Sequence, residues 1–370
     1  MNLKVELNSS LEGMPIYQPG RPIDEVAREL GLTPESIVKL ASNENPLGPS
    51  PMAINAMQEA IQDVHLYPDG NAFHLKAKLA KQLDLKPENI ILGNGSNEIL
   101  ELAGHTLLRP GTEAIFSQYA FVVYPLVTRL FGATPVVTPA RQWGHDLKAM
   151  AQAITDRTRI VFIANPNNPT GTLLPREEVI AFLHDVPSHV VVVMDEAYYE
   201  YLRHPLDLTP LLRSGDKPNL LLTRTFSKIH GLGGLRLGYG LGCPEFIAGL
   251  EKTRQPFNTN TLAQAAALAA LEDNEHLEKT RLNNETGLNF LQTGLQKAGI
   301  EYVRSKANFV LVNVQQGDYV SKELLKRGVI VRPVTPYGLP EWIRLSVGRG
   351  SENEMCLAEL KKVLSTMTTS

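Results

Sequence analysis

Strand candidates built on continuous apolar stretches, "RIVFIAN", "VVVVMDE" and the leucines that open "NLLLTRTF", constrain the fold of this chain more than any other feature. None alternates apolar with polar residues, as a strand with one wet face would. Continuous runs of this length suit strands covered on both faces, as in a parallel sheet with helices on either side. "NIILG", "EAIFS", "TPVVTP" and "RLGYGLG" are further strand candidates, and helix-like segments separate them. The predicted architecture is α/β, with a large, mostly parallel sheet domain flanked by helices. Toward the C-terminus, "NFVLVNV", a helix around "SKELLKRG", "VIVRPV" and "WIRLSVG" read as a smaller α+β domain. The first forty-odd residues are rich in Pro and Gly and read as an arm laid over another surface. The expected division is an arm over 1–46, a large domain over 47–272 and a small domain over 273–370. A helix break is expected near Asp273 and Asn274.

Bulk properties narrow the setting. With 370 residues and 43% hydrophobic content, the chain can build more than one core. A net charge of −3 and a pI near 6.3 argue against a nucleic-acid or membrane-surface binder. Cys243 and Cys356 are too few and too distant for a disulfide framework or a zinc cluster. No metal-ligand cluster is evident, and the start shows no charged and apolar signal-peptide pattern. The expected setting is a soluble, cytoplasmic enzyme or binding protein with no nucleic-acid or membrane partner.

In open α/β sheets, ligands collect at the carboxyl ends of the strands. Four candidate strands here end in polar residues: "GNGSNE", "NPNNPTG", "DEAYY" and "TFSK". Each ending has an ordinary explanation as a turn, a cap or a solvated lysine. Together they predict one polar site along one sheet edge. "GNGSN" can cradle an anion, because glycines admit it and the start of the next helix offers N–H groups. Asp195 follows four valines and needs a cationic or donor partner. Lys228, at the end of an apolar strand, becomes a nucleophile or base if desolvated. Arg236 can fork a phosphate. Dinucleotide, P-loop, HExxH and GxSxG patterns are missing or incomplete.

Pyridoxal 5'-phosphate accounts for the whole set. Its aldehyde needs an amine, Lys228, and its pyridine nitrogen needs a carboxylate, Asp195. Its phosphate needs Ser96, Asn97, Ser227 and Arg236. Asn168 and Tyr198 suit the phenolic oxygen, and Tyr119 suits the ring face. The chain also resembles the fold-type I pyridoxal-phosphate aminotransferases over nearly its whole length. Within them it is similar to the class-II group that acts on histidinol phosphate. The resemblance rests on "YQPGRP", "LASNENPLGPSP", "LYPDG", "GNGSNE", "NPNNPTG", "DEAYYEY", "TRTFSKIHGLGGLRLGYG", "PFNTN" and "WIRLSVG". It implies that Lys228 holds the cofactor and shuttles a proton, with Asp195 and Tyr198 beside it. It implies a homodimer in which Tyr67 reaches the other subunit's cofactor phosphate. For substrate, it implies that Arg344 binds the acidic group and that Arg332 and Tyr17 bind the phosphate of histidinol phosphate. L-Glutamate and 2-oxoglutarate would be the other pair. An aromatic aminotransferase, a phosphothreonine decarboxylase and a non-catalytic regulator are the rival readings.

Overall fold

A computed structural model describes residues 7–14, 16 and 20–367. Its main sheet has seven strands, in the order Ile90–Gly93, Gly238–Leu241, Leu220–Thr225, Val191–Asp195, Thr158–Ala164, Glu113–Ser117 and Thr134–Thr138. The last five run parallel, and Gly238–Leu241 runs antiparallel to both its neighbours. The continuous apolar runs have the predicted cause. Alternate residues of one strand enter different cores. Val192 and Met194 pack on one face with Leu220, Leu222, Val161 and Ile163. Val191 and Val193 pack on the other with Leu221, Ile160 and Phe162. Each such side chain contributes about 1.5–3 kcal/mol by leaving water, which stabilises a strand that no alternating pattern could cover. The Thr134–Thr138 edge strand is only partly buried, as an outermost position requires.

The antiparallel strand was not legible as such. After Lys228 the chain makes a short 3-10 turn at Gly233–Leu235 and comes back between Ile90–Gly93 and Leu220–Thr225. Gly238 pairs with both Gly93 and Thr225, and a Cβ there would lie 2.3 Å from the Ser96 amide nitrogen. Only glycine permits that approach.

A second sheet orders Tyr302–Val303, Phe309–Asn313, Trp342–Ser346 and Arg332–Pro333, all antiparallel. Its register sets Arg332 directly opposite Arg344. "VIVRPV" divides, because Val329–Ile330 instead pairs in parallel with Val38–Lys39. The segment read as an arm thus supplies Val38 and Leu40 to the second core. The helix break falls where expected. Helix Thr261–Ala270 ends before Asp273, whose carboxylate accepts from the His276 amide and starts helix Asn274–Lys297. Its other oxygen accepts from Ser50 Oγ, which itself caps helix Pro51–Ala60. Among the described residues, no helix is long and apolar enough to cross a membrane.

Candidate active site

Because the strands ending in Ala164, Asp195 and Thr225 are parallel, their carboxyl ends open on one edge. A cleft of about 270 Å³ lies there. Its lining includes Ser96, Asn97, Asn168, Asp195, Tyr198, Ser227, Lys228, Arg236, Arg332 and Arg344. Ten of the thirteen residues singled out from sequence therefore meet in one place.

At one wall, Asp195 is 5% exposed. Its Oδ2 accepts from Tyr124 Oη at 2.8 Å and its Oδ1 from Thr223 Oγ1 at 3.3 Å. Burial pushes the carboxyl above its ordinary range, while the two hydroxyls, the Ala197 amide and the Lys228 charge pull it back. Lys228 Nζ donates to the Ser42 carbonyl at 3.2 Å. Desolvation brings this amine down to about 8, and the nearby Arg344 and Arg236 cations act in the same direction. Tyr198 Oη accepts from Asn43 Nδ2 at 2.9 Å, and burial raises the phenol to about 12, so it stays a neutral donor. Reaction of the cofactor-free chain with an aldehyde probe at Lys228 is expected to rise with pH through a midpoint near 8. A profile climbing only above pH 10 would show an ordinary solvated lysine.

The opposite wall is built to receive an anion. Helix Ser96–Leu107 starts with no side chain capping its first N–H groups. Gly95 precedes it at φ +81°, where an added Cβ would sit 2.5 Å from an Arg236 guanidinium nitrogen. Arg236 itself adopts φ +57° and donates to the Gly233 carbonyl at 2.9 Å and to Ser227 Oγ at 3.4 Å. Unpaired helix-start donors plus a held guanidinium make an anion site.

Arg344 is buried, with one terminal nitrogen 2.7 Å from Asn168 Oδ1 and the other 2.7 Å from the Ala41 carbonyl. Those bonds hold its fork beside Arg332 in the cleft.

Three expected residues lie elsewhere. Tyr119 does not line the cleft, because its ring stacks on Trp143 with centroids 5.5 Å apart, within the aromatic core of the second sheet. Phe121, two residues on, occupies the lining instead. The loop after Glu113–Ser117 carries two aromatics, and sequence order does not say which turns inward. Tyr67 is 82% exposed and stacks on Phe257, away from this chain's own cleft. Tyr17 lies outside the described residues. Sequence reasoning gave no role to Ser42, Asn43 or Tyr337, which also line the cleft. Asn43 sits at φ +54°, and its amide and Oδ1 both bond Ser346 Oγ. The asparagine-rich "SNEN" was the available signal, since Asn tolerates that conformation better than most residues.

The fold and cleft define an aminotransferase. Residues 35–359 match the family "Aminotransferase class I and II", and the chain belongs to that family. It is 50% identical over 360 residues to a histidinol-phosphate aminotransferase of Methylobacillus flagellatus, covering 97% of this chain and 98% of the relative. One from Akkermansia muciniphila is 47% identical over 365 residues, covering 98% and 100%. The crystal structure of histidinol-phosphate aminotransferase from Sinorhizobium meliloti, in complex with pyridoxal 5'-phosphate, superposes with a TM-score of 0.88 at 28% identity, covering 99% of each chain. The architecture is the fold-type I arrangement that the sequence implied.

Proposed function

We propose that this chain is a histidinol-phosphate aminotransferase of histidine biosynthesis. It interconverts L-histidinol phosphate and 2-oxoglutarate with 3-(imidazol-4-yl)-2-oxopropyl phosphate and L-glutamate, using pyridoxal 5'-phosphate. The observation that carries this reading is the single cleft that joins a desolvated lysine, a buried carboxylate and an uncapped helix start. These residues fit the cofactor: Ser96, Asn97, Ser227 and Arg236 would hold its phosphate, Asp195 its pyridine nitrogen, Tyr198 and Asn168 its phenolic oxygen, and Phe121 its ring. When bound, the cofactor supplies an aldehyde for amine exchange and a ring that delocalises charge from the substrate's α-carbon.

The protein's part is proton transfer and positioning. Lys228 Nζ holds a neutral fraction near neutral pH and moves the proton at the substrate's α-carbon, a role contributing roughly 10²–10⁴-fold. The Asp195 carboxylate stays in place because its oxygens are held by Tyr124 and Thr223. The Tyr198 hydroxyl remains protonated and donates. Arg344 meets the glutamate carboxylate, and Arg332 joins it for a phosphate dianion, whose second charge rewards a second cation.

The same reading includes a homodimer and a cytoplasmic setting. Val64, Leu66, Tyr67 and Phe73 form an exposed apolar stretch that a second subunit would cover, with Tyr67 reaching the partner's cofactor phosphate. It also includes the division into an arm over 1–46 and domains over 47–272 and 273–370. The separate cores of the two sheets support this division, although Val38 and Leu40 of the arm join the second core.

A comparison of purified protein on L-histidinol phosphate, L-phenylalanine and phosphothreonine, with 2-oxoglutarate as acceptor, tests the function. Highest kcat/KM on histidinol phosphate is expected. A preference for phenylalanine, or decarboxylation of phosphothreonine, would overturn the assignment. Arg332→Ala is expected to lower kcat/KM for histidinol phosphate about a hundredfold, since it strips one member of a charge-paired contact. Activity on phenylalanine should change far less. Equal losses on both would remove Arg332 from phosphate recognition.

A further inference from the structure

One phenol is sealed behind the cleft. Tyr124, on helix Val123–Leu130, is 0% exposed, and its Oη donates to Asp195 Oδ2 at 2.8 Å. Its ring stacks on Phe162 with centroids 4.8 Å apart and planes 3° apart. It also meets Phe121 edge-on at 5.8 Å. Phe162 belongs to the Thr158–Ala164 strand, and Phe121 lines the cleft. The hydroxyl thus has a fixed origin, and the carboxylate it holds reaches the cleft from the end of the Val191–Asp195 strand. The second hydroxyl donor to Asp195, Thr223 Oγ1, lies at a longer 3.3 Å.

We propose that Tyr124 is a positioning residue for Asp195: its hydroxyl orients the carboxylate toward the cleft and favours its ionised form, without touching substrate. The proposal rests on Asp195 being the partner of the cofactor's pyridine nitrogen. Burial and the neighbouring Asp195 charge raise the Tyr124 phenol well above 10, so it is a permanent donor. The other titratable groups facing the pair are Lys228, Tyr198, Glu196 and Tyr337. Glu196 is held by Arg224, Nε to Oε2 at 2.8 Å. Among the described residues, no other hydroxyl contact to Asp195 is as short as that of Tyr124. A hydrogen bond to an ionised acceptor is about twice as strong as a neutral one, so its loss registers mainly when the carboxyl is charged.

Tyr124→Phe removes the hydroxyl and keeps the stack on Phe162. The test is the melting temperature of full-length protein stripped of cofactor, measured from about pH 4 to pH 8. The folded-state pKa of Asp195 lies above its ordinary value of 3.8. Its contribution to stability is therefore complete below that value and is lost as pH rises through the folded pKa. Removing the donor raises the folded pKa further, so the variant loses more over the same rise. The gap between wild type and variant is expected to widen by roughly 2 °C from acid to neutral pH, the effect of a one-unit change in one proton affinity in a chain of this size. In an Asp195→Asn background the gap should not vary with pH. A constant gap in the wild-type background, or one that still widens without the carboxylate, overturns the proposal. If Tyr124→Phe does not fold at pH 7, it must fold at the acid end of the range, toward which the raised carboxyl gains its proton; failure at both also overturns it. Reloaded with pyridoxal phosphate, Tyr124→Phe is expected to retain it roughly tenfold less tightly, and equal retention counts against the proposal. If wild-type protein takes up no pyridoxal phosphate, the cofactor reading falls, while the pH-dependent gap still decides the Tyr124–Asp195 coupling.

Discussion

Lys228→Ala is expected to fold normally and to lose transamination by more than about ten-thousandfold. The two halves of this outcome have different causes. Lys228 is half-buried and hydrogen-bonds the Ser42 carbonyl, so its loss removes about one net hydrogen bond from the fold. It also removes an amine whose charge the cleft disfavours, as its lowered pKa of about 8 shows. Catalysis has no such substitute. In the proposed function the variant would lack both the amine that holds the cofactor aldehyde and the base that moves the α-proton, and general-base catalysis alone accounts for roughly 10²–10⁴-fold. A melting curve and single-turnover kinetics with glutamate check both halves. Turnover within tenfold of wild type would remove Lys228 from the chemistry.

Asp195→Ala carries the second-largest expected effect, and here fold and function both suffer. Its side chain ends a buried strand and accepts the hydroxyl of a phenol with no access to water. Truncation leaves that hydroxyl without its acceptor, at a cost of about 1–3 kcal/mol. Turnover should fall on the order of a thousandfold, the size of effect seen when a charge aimed at the reacting system is removed. Asp195→Asn separates the two effects. The amide keeps an acceptor for Tyr124 and should recover most of the stability, while turnover stays low because the charge is gone. If Asp195→Asn were as active as wild type, the carboxylate's charge would have no part in the reaction.

What sequence could and could not convey follows from which interactions are local. "VVVVMDE" and "NLLLTRTF" announced two-faced burial, and both strands appear with every residue buried. Chain order also places Asp195 and Lys228 at the ends of those strands, so their meeting needed only that the strands run parallel. The direction of Gly238–Leu241 depends on a steric fact about a distant amide, that of Ser96, which no local pattern encodes. That Phe121 and not Tyr119 lines the cleft was hidden for a related reason. Either aromatic could turn inward, and Tyr119 instead packs against Trp143. Tyr124 carried no signal at all. A tyrosine in an apolar helix reads as core, and only the fold brings its hydroxyl to a carboxylate 71 positions along the chain.

Central to the proposed function is the ε-amine of residue 228 as the group that takes up pyridoxal phosphate. Reduction of the loaded protein with borohydride, followed by peptide mapping, addresses this directly. The result expected is one phosphopyridoxyl-modified peptide, with the added mass on Lys228. Modification of a different lysine, or a map with no modified peptide, would contradict it.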